Sequence, residues 1–331
     1  MGRGEFRRAA AAPLATGYSP RAISDLKMTN NEIMRNMQGV ICPVVTPFNR
    51  RGDVDEEFFR ENLNRIAGIG LAGILVAGST GEAPYLAERE RLRLVEIARG
   101  VVKAPEILLV GTGLESTAGT LNLSREAVAR GADVLLVVTP NYYKPRMDAA
   151  ALVAHYRTVA AGVERPVMIY SIPQFTGLDV DPATIGKLSR LPNVLGLKES
   201  SGKLEFVKAI LAKVRRGFRV LVGAPSIFYD ALCAGAVGAV LGVANYAPLL
   251  CVGLYQAFLR RQAAEARDLQ QRLAPLGQKI NLPYGVAGIK SALDLCGGHG
   301  GIPRLPLLPP STQAKRQIAA ALREASARLA I

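Results

Sequence analysis

The sequence predicts an α/β chain, a (β/α)8 barrel with a C-terminal α-helical appendage. Two observations point to it. From Gly39 onward, short apolar runs alternate with longer amphipathic segments, eight times in about 210 residues. The ends of those runs collect glycines, serines, tyrosines and a lysine, which is where parallel barrels keep their chemistry. An open doubly wound sheet is the rival. It would place a G-x-G-x-x-G turn after its first strand, and Val45-Thr46-Pro47-Phe48 is no such turn.

Residues 40–45 form the first predicted strand. A helix follows at 56–68, with Phe58, Phe59, Leu63 and Ile66 on one face. The second strand, 72–77, ends in Gly78-Ser79-Thr80-Gly81-Glu82 and leads to a helix at 88–102. The third, 107–110, ends in Gly111-Thr112-Gly113 before a helix at 117–130. The fourth, 134–138, runs into Thr139-Pro140-Asn141-Tyr142-Tyr143 and a helix at 149–161. The fifth, 167–170, ends in Ser171-Ile172-Pro173, and a helix at 182–190 opens on proline. The sixth is Val194-Leu195-Gly196-Leu197, ending on Lys198, with a helix at 204–213. The seventh, 218–222, ends at Gly223 before a helix at 226–234, and the eighth is 236–241. Beyond 261 the strands stop, and 263–276, 285–295 and 311–329 read as helices.

This divides the chain into a barrel at 38–261, a helical subdomain at 262–331 and an N-terminal extension at 1–37. The extension carries Arg3, Arg7, Arg8, Arg21 and an Ala9-to-Ala12 run, with few acids. That composition suits a transit peptide or a disordered tail, or a start codon placed too early, since Met28, Met34 and Met37 follow.

With 331 residues, 49% of them hydrophobic, the chain can bury a sizeable core. No apolar run nears the ~18 residues of a membrane helix, so no membrane partner is expected. Cys42, Cys233, Cys251 and Cys296 are far apart and form no C-x-x-C, which suits buried thiols of a reducing compartment. A cytoplasmic location follows, or a mitochondrial one if the cell is eukaryotic and the extension a transit peptide. His155 and His299 are the two histidines. They leave no His-rich zinc site, no metal-dependent aldolase and little room for a serine–histidine triad. No metal or cofactor is expected. The formal charge of +14 is dispersed, with local clusters such as Arg89-Glu90-Arg91 and Arg260-Arg261. Dispersed arginine reads as a solvated face, so nucleic acid is not an expected partner. A general positive field still draws in small anions.

Lys198 closes a buried strand. A lysine there either ends the strand in solvent or offers a neutral amine to a ketone, forming a Schiff base. Only about one free lysine in 10³ is neutral at pH 7, and making it so costs roughly 4–5 kcal/mol. A dry, apolar surrounding supplies much of that shift. Tyr170 ends the neighbouring strand, where a phenol can pass protons to and from a carbinolamine. Gly78-Ser79-Thr80-Gly81 is either an ordinary glycine turn or a cradle of N–H groups and hydroxyls for a carboxylate. Tyr142 can extend a hydroxyl relay with Ser79, or is a loop aromatic. Glu199 reads as a structural partner of the lysine. Gly111-Thr112-Gly113 is weak as a phosphate signature. Together these fit imine chemistry on a 2-oxo acid, the protonated imine serving as electron sink.

These residues resemble the dihydrodipicolinate synthase / N-acetylneuraminate lyase family, the pyruvate-dependent class I aldolases. The motifs are G-S-T-G-E at 78–82, T-P-x-Y-Y at 139–143, Y-S-I-P-x-x-T-G at 170–177 and G-L-K-E-S at 196–200. The resemblance runs from about Gly39 to the C-terminus. It implies that Lys198 is the Schiff-base lysine and Tyr170 the proton donor and acceptor. Ser79 takes the relay hydroxyl, and Tyr142 the relay tyrosine lent across a dimer interface. Thr80 and Val240 take positions contacting the pyruvate moiety, Val240 through its backbone. A homotetramer of tight dimers is implied. Synthases of the family usually carry arginine where Phe175 stands, to hold aspartate semialdehyde, and an aromatic where Asn141 stands. Tyr170-Ser171-Ile172-Pro173, Glu115-Ser116-Thr117 and Tyr142-Tyr143-Lys144 with Arg146-Met147 look closer to the 4-hydroxy-2-oxoglutarate aldolase branch, which yields pyruvate and glyoxylate. Phe175 also departs from the asparagine of that branch. The expected activity is therefore a 4-hydroxy-2-oxoglutarate aldolase-like lyase. The alternatives are a dihydrodipicolinate synthase and a non-catalytic pyruvate-binding barrel.

Overall fold

A computed structural model of the chain describes residues 28–327. Eight parallel strands close into a barrel in chain order. They are β1 (Gly39–Pro43), β2 (Gly73–Val76), β3 (Ile107–Gly111), β4 (Val134–Val138), β5 (Val167–Ser171), β6 (Val194–Glu199), β7 (Arg219–Val222) and β8 (Gly238–Val240). β8 returns to β1, setting Val240 beside Ile41. Most strand bounds fall within one or two residues of the apolar runs that predict them.

Both faces of each strand are covered, which is why the strands read as near-continuous apolar runs. Ile41, Leu75, Leu109, Leu136, Met168, Leu195, Leu221 and Val240 pack together inside the barrel. Cys42, Ile74, Leu108, Leu135, Ile169 and Val220 belong to the larger outer core, with Phe59, Leu94, Tyr156 and Leu254 of the surrounding helices. β6 breaks the alternation. Val167 pairs with Val194, yet Met168 pairs with Gly196, so Leu195 is the extra residue of a bulge. A regular strand with Leu195 inside would turn residue 198 outward. The bulge brings Lys198 back beside Tyr170, its strand neighbour.

Helix Glu56–Ile66 buries Phe59, Leu63 and Ile66 but not Phe58. The burying positions are spaced i, i+4 and i+7, and Phe58 lies about 100° off that stripe. Its ring stacks instead on His299, with centroids 4.1 Å apart. Helix Pro248–Leu259 has no counterpart among the predicted elements. Its sequence PLLCVGLYQAFL is apolar on nearly every side and gives no amphipathic rhythm. The C-terminal helices are Ala263–Leu276, Leu282–Leu295 and Thr312–Ala327. A π-helical turn, Gly277–Asn281, joins the first two, and the chain kinks at Gly285 (φ 53°, ψ −140°).

Composition assigns residues 1–37 to an extension. Residues 1–27 lie outside the described residues, but Asn30–Asn36 is a helix. Thr29 caps it: its hydroxyl accepts from the Glu32 N–H, and the Glu32 carboxylate accepts from the Thr29 N–H. Met28, Ile33 and Met37 join the interior cluster and cover the N-terminal end of the barrel. Tail composition hides this segment because its apolar residues are few and far apart.

Candidate functional site

The strand ends at the opposite, C-terminal mouth bring three of the candidate residues together. Lys198 and Tyr170 are paired across β6 and β5. Both are nearly buried, at 4% exposure each. The Lys198 Nζ lies 4.0 Å from the centre of the Tyr170 ring. The Tyr170 hydroxyl lies 3.2 Å from the Ser79 Oγ. A hydroxyl pair thus stands near an amine, and Tyr170 shares the interior cluster with Ile41, Leu221, Val240 and Ile172.

The turn after β2 is built to approach this point. Ala77 takes a left-handed conformation (φ 52°), and so does Glu82 (φ 58°). The N–H groups of Gly81 and Ala83 both donate to the Gly78 carbonyl, and that of Glu82 to the Ser79 carbonyl. Among the described residues, the N–H groups of Ser79 and Thr80 have no protein partner. Two free amides and two hydroxyls in one turn suit a carboxylate. Gly111 explains how the turn fits: a Cβ there would collide with the Ala77 carbonyl oxygen. One on Gly113 would stand 2.6 Å from the Val138 nitrogen. The G-x-G run therefore serves close backbone packing. Thr80 is half-buried and near the end of β8, where a Cβ on Gly242 would lie 3.7 Å from its hydroxyl. Val240 is buried in the interior cluster.

Tyr142 is not brought to Ser79 within one chain. It is 76% exposed, and its ring packs edge-on against Tyr143. Its N–H and that of Asn141 each donate to the Glu115 carboxylate at 2.9 Å, which pins the loop. Phe175, in the short helix Pro173–Thr176 after β5, is 66% exposed. Its neighbour Gln174 donates to the Ser200 carbonyl at 2.8 Å.

Glu199 is fully buried and on the outward side of β6. Burial pushes its carboxyl above the usual range, and bonding from Ser201 only partly offsets this. Its Oε1 accepts from the Ser201 N–H at 2.7 Å.

Other contributors carry little sequence signal. Thr46 donates its hydroxyl to the Gly81 carbonyl at 2.8 Å. Asn245 accepts from the Val45 N–H and donates to the Pro43 and Gly242 carbonyls, tying the ends of β1 and β8 together. Glu82, the last residue of G-S-T-G-E, is buried against Lys290 from the distant C-terminal region.

The closed parallel barrel, with a lysine and a tyrosine buried at the C-terminal ends of adjacent strands, defines a barrel enzyme. The chain belongs to the dihydrodipicolinate synthetase family, whose profile matches residues 36–325. It is 34% identical over 277 residues to a 4-hydroxy-tetrahydrodipicolinate synthase of Methanothrix thermoacetophila, covering 83% of this chain and 92% of the relative. The structure of the 4-hydroxy-tetrahydrodipicolinate synthase of Methylacidiphilum fumariolicum SolV superposes with a TM-score of 0.84 at 30% identity, covering 88% of this chain and 97% of that one. YagE of Escherichia coli K12, a prophage protein of the dihydrodipicolinic acid synthase family solved in complex with pyruvate, gives 0.81 at 29% identity, over 87% and 98%.

Proposed function

We propose that the chain is a class I aldolase that joins pyruvate to an aldehyde through an imine on Lys198, as a 4-hydroxy-tetrahydrodipicolinate synthase. The observation that carries the imine is the Lys198 amine 4.0 Å from the Tyr170 ring, with the Tyr170 hydroxyl 3.2 Å from Ser79. Names of the relatives favour the synthase over the 4-hydroxy-2-oxoglutarate aldolase expected from the loop motifs. The loop motifs keep that aldolase as a second reading. Phe175, exposed and apolar, offers no charge to the distal carboxylate of either substrate.

In this reading the free N–H groups and hydroxyls of Ser79 and Thr80 take the pyruvate carboxylate, with the Val240 backbone beside it. The neutral Lys198 amine attacks the keto carbon and forms a carbinolamine. Tyr170 protonates the departing hydroxyl, water leaves, and the protonated imine remains. Loss of a methyl proton gives an enamine, whose carbon attacks the aldehyde carbonyl. Ser79 connects Tyr170 to a second tyrosine, the Tyr142 of another subunit in a homotetramer of tight dimers. The thiols of Cys42, Cys233, Cys251 and Cys296 are all free, in keeping with a cytoplasmic location.

The test is reductive trapping. Borohydride with pyruvate should add the mass of a reduced pyruvyl group at Lys198. Lys198→Ala should lose both the label and turnover, by more than about 10³-fold. No label on the wild-type lysine would remove the imine. Aspartate semialdehyde and 4-hydroxy-2-oxoglutarate, assayed side by side for pyruvate consumed or released, decide between the two readings.

A further inference from the structure

We infer that Glu82, Lys290 and Arg304 form a positioning latch, by which the C-terminal subdomain sets the geometry of the pyruvate cradle. The inference rests on the function proposed above. Glu82 ends the cradle turn in a left-handed conformation (φ 58°) and donates its N–H to the Ser79 carbonyl. Its carboxylate is buried, and the Lys290 Nζ lies 2.5 Å from one oxygen. The other oxygen accepts from the Arg304 N–H at 2.8 Å. Lys290 comes from helix Leu282–Leu295 and also donates to the Ile302 carbonyl at 3.0 Å. The Arg304 side chain continues the clamp, donating to the Tyr85 carbonyl at 2.7 Å and to both oxygens of Glu90. Both cations lie over the Phe48 ring, the Lys290 Nζ 4.6 Å and the Arg304 guanidinium 4.1 Å from its centre.

Such a pair is poorly explained by stability. The attraction of a buried ion pair roughly offsets its desolvation, and apolar pairs of the same shape often do as well. Burial does press Lys290 toward its neutral form, with Glu82 opposing. What the pair adds is direction. A left-handed residue other than glycine is held in place only when its surroundings over-determine it. Here two segments from the far end of the chain reach one carboxylate and hold that residue. Ser79 is joined to it through one backbone hydrogen bond.

Stability and positioning separate in a double mutant. Lys290→Met alone leaves a buried carboxylate without its cation and should lower Tm by about 5–10 °C. Glu82→Gln/Lys290→Met removes both charges and should recover most of that loss. Positioning requires that the double mutant keep a KM for pyruvate raised about tenfold, with slowed borohydride trapping at Lys198 and kcat within about threefold of wild type. A double mutant with wild-type Tm, KM and trapping rate would reduce the latch to a structural pair and overturn the proposal. Wild-type enzyme trapped in parallel separates the two claims. If it takes no label, the imine reading fails and the latch with it. If it takes label and the double mutant matches it, the latch alone fails.

Discussion

At the scale of single residues, burial decides chemistry. His155 is the clearest case outside the mouth. Its Nδ1 lies 2.9 Å from the Thr117 hydroxyl, and burial depresses the ring to about 4 from 6.5. As pH falls, the unfolded chain takes up the proton first. Stability is therefore full above about 6.5 and declines toward about 4, by about 3 kcal/mol from this group. Urea unfolding at pH 7 and pH 4.5 should show a larger loss in wild type than in His155→Gln. Equal losses would mean that the ring is not buried neutral. Lys198, Tyr170 and Ser79 were legible in the sequence because each is a reactive residue type at the end of an apolar run. Lys290 and Arg304 were not legible. Each reads alone as one more surface cation, and only the fold brings them to Glu82.

At the scale of elements, the strands were legible from their apolar runs, but the bulge that aims Lys198 was not. A bulge changes pairing without changing composition, and Val194-Leu195-Gly196-Leu197 reads the same with or without it. Two of the helices that the pattern misses fail for opposite reasons. Pro248–Leu259 is too uniformly apolar to show a face, whereas Asn30–Asn36 shows one buried residue in seven. That shorter helix nonetheless seals the barrel. Ile33 is fully buried in the interior cluster, so Ile33→Ala should destabilise the protein by about 2–4 kcal/mol. Equilibrium unfolding in urea measures it. A loss below about 0.5 kcal/mol would mean that the helix lies on the barrel end without sealing it.

At the scale of the whole molecule, the hydroxyl relay proposed above is not completed within one chain. Ser79 meets Tyr170, while Tyr142 stands on a loop pinned by Glu115 with its side chain 76% exposed. Beside it Tyr143 is 70% exposed. Two adjacent exposed tyrosines are the kind of surface that an interface covers. If Tyr142 serves a neighbouring subunit, two damaged chains can repair one another. A dimer of Lys198→Ala with Tyr142→Phe has one site with no lysine. Its other site has an intact lysine and receives the intact Tyr142 of the first chain. Random mixing after dissociation makes half the dimers mixed, each with one good site, so about a quarter of wild-type activity should return. If Tyr142 serves its own chain, the only site with a lysine keeps its damaged tyrosine. Mixing then gains nothing over the average of the two variants, and the shared site is refuted.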